Sequence, residues 1–147
     1  NYNQPDKVIV GNKGVYNFSH SKTASGFTIF MVQTDFKFEI KKANSLYKTG
    51  SSFILSDVKM LDNYFYLTGY IKSYQSDSSF ICKVDTNFNN VFFKTYSSSD
   101  SLVSLKANSI EVDKAKNIYF GGTYLYNTNR KKPFLIKIDS LGKLLFI

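Results

Sequence analysis

At 147 residues the chain suits one domain that can bury a sizeable core. Its single cysteine, Cys82, excludes an intramolecular disulfide, and no apolar run approaches the length of a membrane-spanning helix. A net charge of +8 is spread along the chain, so it reads as a solvated basic surface rather than a nucleic-acid site. The absence of disulfides fits a cytosolic protein or a bacterial secreted one held by its core alone. Beginning at Asn1 without an initiator methionine or signal peptide, the sequence reads as a processed form or a piece of a longer protein.

No window carries a helical apolar rhythm long enough for a helix, whereas short alternating and β-branched or aromatic runs recur throughout. They fall into three units. Residues 1–50 predict strands near Lys7–Val10, Val15–Ser19, Phe27–Gln33 and Phe36–Lys41. Residues 51–103 predict strands near Ile54–Leu61, Tyr64–Ile71, Ser79–Val84 and Val91–Tyr96. Residues 104–147 predict Asn108–Val112, Ile118–Tyr124, Phe134–Ile138 and Leu144–Ile147, with Gly142 in the last turn free to take a positive φ.

The units align on shared phrases. Phe120-Gly-Gly-Thr123 matches Leu67-Thr-Gly-Tyr70 and, faintly, Asn17-Phe-Ser-His20, each after a tyrosine (Tyr16, Tyr66, Tyr119). Phe30-Met-Val-Gln33, Cys82-Lys-Val-Asp85 and Ile136-Lys-Ile-Asp139 align in turn, with Gln33 breaking the aspartate pattern. In these third strands one face is apolar, and the other is part apolar at Ile29, Ile81 and Leu135. An antiparallel sheet with one wet face would be polar throughout on its second face, so cover on both sides is expected.

Four strands in a period of about 50 residues point to an all-β protein of β-propeller blades: three four-stranded antiparallel sheets. The run Asn108-Ser-Ile-Glu-Val-Asp113, Asn117-Ile-Tyr-Phe-Gly-Gly-Thr123 and Phe134-Leu-Ile-Lys-Ile-Asp139, with Gly142 and Leu144-Leu145, resembles the bacterial β-propeller repeat called the SBBP type. Unit three carries the resemblance best and unit one least. The chain departs from the family at Ala115-Lys116, where a glycine is usual, and at Phe146, where tryptophan is frequent. The resemblance implies blades 1–50, 51–103 and 104–147 of a secreted or cell-surface protein. Three blades make a crowded ring, so further blades of the same chain or of a second copy are the expected partners.

Candidate chemistry is sparse. His20 has no second histidine or cysteine for a usual zinc site, and as a base it would need an orienting carboxylate and a nucleophile. Cys82 reads as a small buried hydrophobe. Asp57, Asp62, Asp85, Asp100, Asp113 and Asp139 fall at strand ends or turns, where their side chains bond nearby backbone N–H groups. Asp85-Thr-Asn87 is too short for a calcium loop, and Gly121-Gly122 and Gly11-Asn-Lys-Gly14 precede no helix that would make a phosphate site. No catalytic, metal or cofactor residue is therefore assigned.

The stretch best suited to binding is Tyr124-Leu-Tyr-Asn-Thr-Asn-Arg-Lys-Lys132, together with its counterpart from Tyr70 to Asp77. Tyr124, Tyr126, Asn127, Asn129, Arg130, Lys132, Tyr70 and Tyr74 combine aromatic, amide and cationic groups that suit a protein or glycan partner. The leading expectation is a non-catalytic interaction or structural module. The alternatives are a glycan-binding module and the scaffold part of a propeller enzyme whose active site lies elsewhere.

Overall fold

The computed structural model describes residues 6–23, 26–46, 52–100, 103–126 and 130–147. Twelve strands and no helix occur among them. The first sheet holds β1 (Lys7–Gly11), β2 (Gly14–Thr23), β3 (Gly26–Thr34) and β4 (Ile40–Leu46). The second holds β5 (Ser52–Leu61), β6 (Tyr64–Lys72), β7 (Ser78–Asp85) and β8 (Asn90–Tyr96). The third holds β9 (Val103–Val112), β10 (Ile118–Tyr126), β11 (Lys131–Ile138) and β12 (Leu144–Phe146). Each is an antiparallel meander in chain order. Within each sheet few residues separate one strand from the next, which accounts for the antiparallel pairing.

The sheets stack in sequence, with the second in the middle. Its β6–β7 ribbon sends Phe65, Leu67, Phe80, Cys82 and Val84 into one core with Tyr16, Phe18, Ile29 and Met31 of the first sheet. The opposite face sends Tyr66 and Ile81 into a second core with Ile118, Phe120, Ile136 and Ile138 of the third. Among the described residues the middle sheet is covered on both faces, whereas the first and third, for which the sequence predicts the same, are each covered on one.

Strand pairing corrects the alignment of the first unit. Tyr66 lies opposite Lys83 and Tyr119 opposite Lys137, while Tyr16 lies opposite Gln33. Gln33 therefore corresponds to Lys83 and Lys137, and it is Asp35 that stands where Asp85 and Asp139 stand. The error is two residues, so it leaves every side chain on its expected face. The fourth strand moves with it: Phe36–Phe38 form the turn, and β4 starts at Ile40 rather than Phe36.

That turn recurs four times. Asp35, Asp85, Asp113 and Asp139 each accept two backbone N–H groups or a side-chain amide from the residues that follow. Three residues on, Phe38, Phe88, Lys116 and Gly142 take φ of 64°, 65°, 66° and 79°. Lys116 thus occupies the left-handed conformation for which a glycine was expected. A non-glycine residue there is strained, and the aspartate bonds offset the strain.

These bonds hold three carboxyls below the ordinary carboxylate range. For Asp35 the chief cause is the Lys41 ammonium, and for Asp113 the Asn117 amide. At Asp85 burial pushes upward, but the bonds from Asn89 and Asn87 and the Lys42 charge outweigh it. A lowered folded-state pKa adds stability that is complete above the unfolded value of about 3.9 and is lost as pH falls through the folded values. The melting temperature is therefore expected to fall between about pH 5 and pH 2, and less steeply in Asp113→Asn. Equal slopes for the two proteins would contradict this assignment.

The third sheet also begins earlier than predicted, at Val103 rather than Asn108. Val103, Leu105 and Ala107 alternate inward, but a β-bulge opposite Gly121 and Gly122 shifts the phase before Ile110. The middle sheet has the same bulge between Leu55 and Asp57.

Candidate functional site

The β6–β7 and β10–β11 connections lie at the strand ends that also carry the sheet-to-sheet connections. The described members of the predicted binding set lie at this rim, and four of them, Tyr70, Tyr124, Tyr126 and Lys132, are engaged in packing. Because β9 starts at Val103, Tyr124 pairs with Leu105 and Tyr126 with Val103, so both tyrosines sit in strand β10. Tyr124 packs edge-on against Phe134 at 5.3 Å between ring centroids. Tyr126 carries the Lys132 ammonium 5.8 Å from its ring centre and donates its N–H to the Arg130 carbonyl. Tyr70 is half-buried, with the Lys106 ammonium 5.0 Å from its ring centre. Tyr74 and Arg130 are exposed. Asn127 and Asn129 lie outside the described residues.

Asp77, the last residue of the Tyr70–Asp77 stretch, ties this rim together. Its carboxylate meets the Lys106 ammonium at 3.0 Å, its N–H reaches the Ser104 hydroxyl, and its carbonyl accepts the Leu105 N–H. A loop aspartate gives no signal of a partner so far along the chain.

The opposite rim holds a groove of about 560 Å³ between the first and second sheets. Asn12, Lys13, Lys59, Asp62 and Asn63 supply its polar groups, and Tyr16 and Met60 its apolar ones. These come from two hairpins, so nothing in the local sequence marks them as a set. Nearby, Asp57 accepts from Lys7 of the first sheet at 2.6 Å and from the Ile110 N–H of the third at 3.2 Å, linking all three first strands. Such groups can bind and orient a polar surface.

His20 does gain an orienting carboxylate. Asp6 accepts its backbone N–H at 2.6 Å and stands 2.5 Å from Nδ1. The pair ties the chain leading into β1 to strand β2. Among the described residues no three His, Cys, Asp or Glu side chains are grouped to hold a metal ion.

Cys82 is fully buried between the first two sheets, and burial pushes its thiol up to about 12. Iodoacetamide at pH 8 is expected to leave the folded chain unlabelled and to label it only once urea unfolds it. Rapid stoichiometric labelling of the native protein would contradict that burial.

Polar side chains also bridge the faces between sheets. On the middle sheet Lys83 lies 4.3 Å from the Tyr64 ring centre and 5.4 Å from that of Tyr66, and its ammonium reaches the Ser140 carbonyl of the third sheet at 3.5 Å. Burial, with the Lys116 charge, holds its pKa below that of an ordinary lysine. On the third sheet Lys137 sits over Tyr119 in the same way, at 4.9 Å, but on a face that no further sheet covers. Among the described residues no helix is long and apolar enough to cross a membrane. No family model matches the chain, and no curated protein sequence matches it.

Proposed function

We propose that the chain is a non-catalytic β-propeller module of the SBBP type, acting as a structural and protein-interaction component of a secreted or cell-surface assembly. The observation that carries this reading is the pair of uncovered sheet faces. Val8, Val10, Phe36, Phe38 and Ile40 are exposed on the first sheet, and Leu135 and Phe146 on the third. Contiguous apolar surface of this kind marks an interaction site rather than a wet surface. Among the rim residues Tyr70 reaches across to Lys106 of the next sheet, while Tyr124 and Tyr126 pack within the third sheet against Phe134 and Lys132.

A glycan array probed with this chain tests the reading against its main competitor. The module reading expects no glycan-dependent signal. A signal that disappears in Tyr74→Ala or Arg130→Ala would replace it with the lectin reading.

A further inference from the structure

Corresponding positions in the three sheets have opposite fates according to whether a neighbour is present. Take first the faces that look back toward the start of the chain. Pairing aligns Val8 with Val58, since Lys7 lies opposite Phe18 and Asp57 opposite Thr68. Val58, against the first sheet, is 4% exposed, whereas Val8 is 51% exposed. The turn residue Phe88 is 2% exposed, with its ring edge-on to Tyr16 at 6.2 Å and to Phe18 at 6.3 Å. Its counterpart Phe38 has the same backbone conformation and is 79% exposed.

The faces that look forward behave likewise. Tyr16 and Met31 are buried by the second sheet, and Tyr66 and Ile81 by the third. Their counterparts on the third sheet are Tyr119, which is half-buried, and Leu135, which is 49% exposed. The described sheets thus present two different uncovered faces. Each has the residue pattern of one side of an interface already formed twice inside the chain.

We propose that the uncovered face of the third sheet receives the uncovered face of the first sheet of a second copy of this chain. Phe38 of that copy is the anchor. It fills over Tyr119 and Gly121 the place that Phe88 fills against Tyr16 and Phe18. Gly121 stands where the first sheet has Phe18, so no ring obstructs it. Lys137 then meets the Phe36 carbonyl as Lys83 meets that of Ser140. Continuity with the internal interfaces favours a second copy over an unrelated protein, because a sheet of this same pattern is the one occupant already shown to fit. The contact is heterologous, so two copies that exchange it on both sides close a ring of six sheets. The inference rests on the module reading above and adds the identity of the partner.

Sedimentation velocity of the 147-residue chain tests it. The wild type is expected at twice its mass of 16.8 kDa. Phe38→Asp and Leu135→Glu alter exposed side chains on opposite faces, and each alone is expected to lose the doubled mass while keeping the wild-type circular dichroism. Mixing the two variants restores a one-to-one pair, because each retains the face that the other lacks. A wild type that stays at 16.8 kDa up to its solubility limit overturns the proposal; so does a mixture that does not pair. Either result leaves the module reading in place, since a glycan-dependent signal is what would remove that.

Discussion

Gly122→Ala is expected to cost about 3 kcal/mol or more of stability, a fall in melting temperature of roughly 10 °C for a chain of this size. A Cβ there would stand 1.9 Å from the Lys106 carbonyl oxygen and 2.8 Å from the Ala107 Cα. Gly69→Ala is expected to do the same, because its Cβ would stand 2.0 Å from the Ile54 carbonyl oxygen. Both glycines lie beside a β-bulge in the neighbouring first strand, where the bulged backbone closes on the second strand. The obstruction is main chain, so no rotamer change relieves it. The corresponding residue of the first sheet is Ser19. There β1 is only five residues long, and its pairing with β2 ends at Lys7 and Phe18. Ser19→Gly should therefore cost less than about 1 kcal/mol, the entropic term alone. Thermal melts of the three variants check this. A Gly122→Ala protein that melts with the wild type would mean that the bulge is misplaced.

Phe88→Ala is expected to cost about 3–5 kcal/mol, measured by urea unfolding. Its ring is surrounded by Tyr16, Phe18 and Phe65, and truncation leaves a cavity between two sheets that cannot collapse without moving both. Phe38→Ala changes the same residue type at the corresponding turn position with the same backbone φ. In dilute solution it should cost less than about 0.5 kcal/mol, as for an exposed side chain. The contrast separates packing from turn chemistry. Equal losses at the two sites would show that the turn, and not the neighbouring sheet, sets the energy.

Much of this fold was legible in the sequence because strands encode their faces by parity. The two-residue misalignment of Gln33 with Asp85 changed no face, so the two-sided cover of the middle sheet survived it. What parity cannot encode is a bulge. Val103-Ser-Leu-Lys-Ala107 alternates cleanly, but the extra residue before Ile110 breaks the phase, and the sequence predicts the strand only from Asn108. The rim follows from it: the sequence ends the second strand at Tyr124 and leaves Tyr126 to the connection, whereas both pair with β9, at Leu105 and Val103. The Asp35 turn was hidden for a different reason. Its left-handed position holds Phe38, and an aromatic residue between charged ones resembles a strand. The groove lined by Lys13, Lys59 and Asp62 had no local signal at all, since its residues meet only when two hairpins stack.

The central claim is that three like sheets stack in one direction and that the middle one is covered on both sides. Native-state hydrogen exchange in dilute solution tests it most directly. The inner strands of all three sheets have ladder partners on both sides, so differences among them report the cover over their faces. The amides of β6 and β7 are expected to exchange more slowly than those of β2 and β3 or of β10 and β11. Equal protection across the three pairs, or slowest exchange in the first or third sheet, would contradict the stacking order.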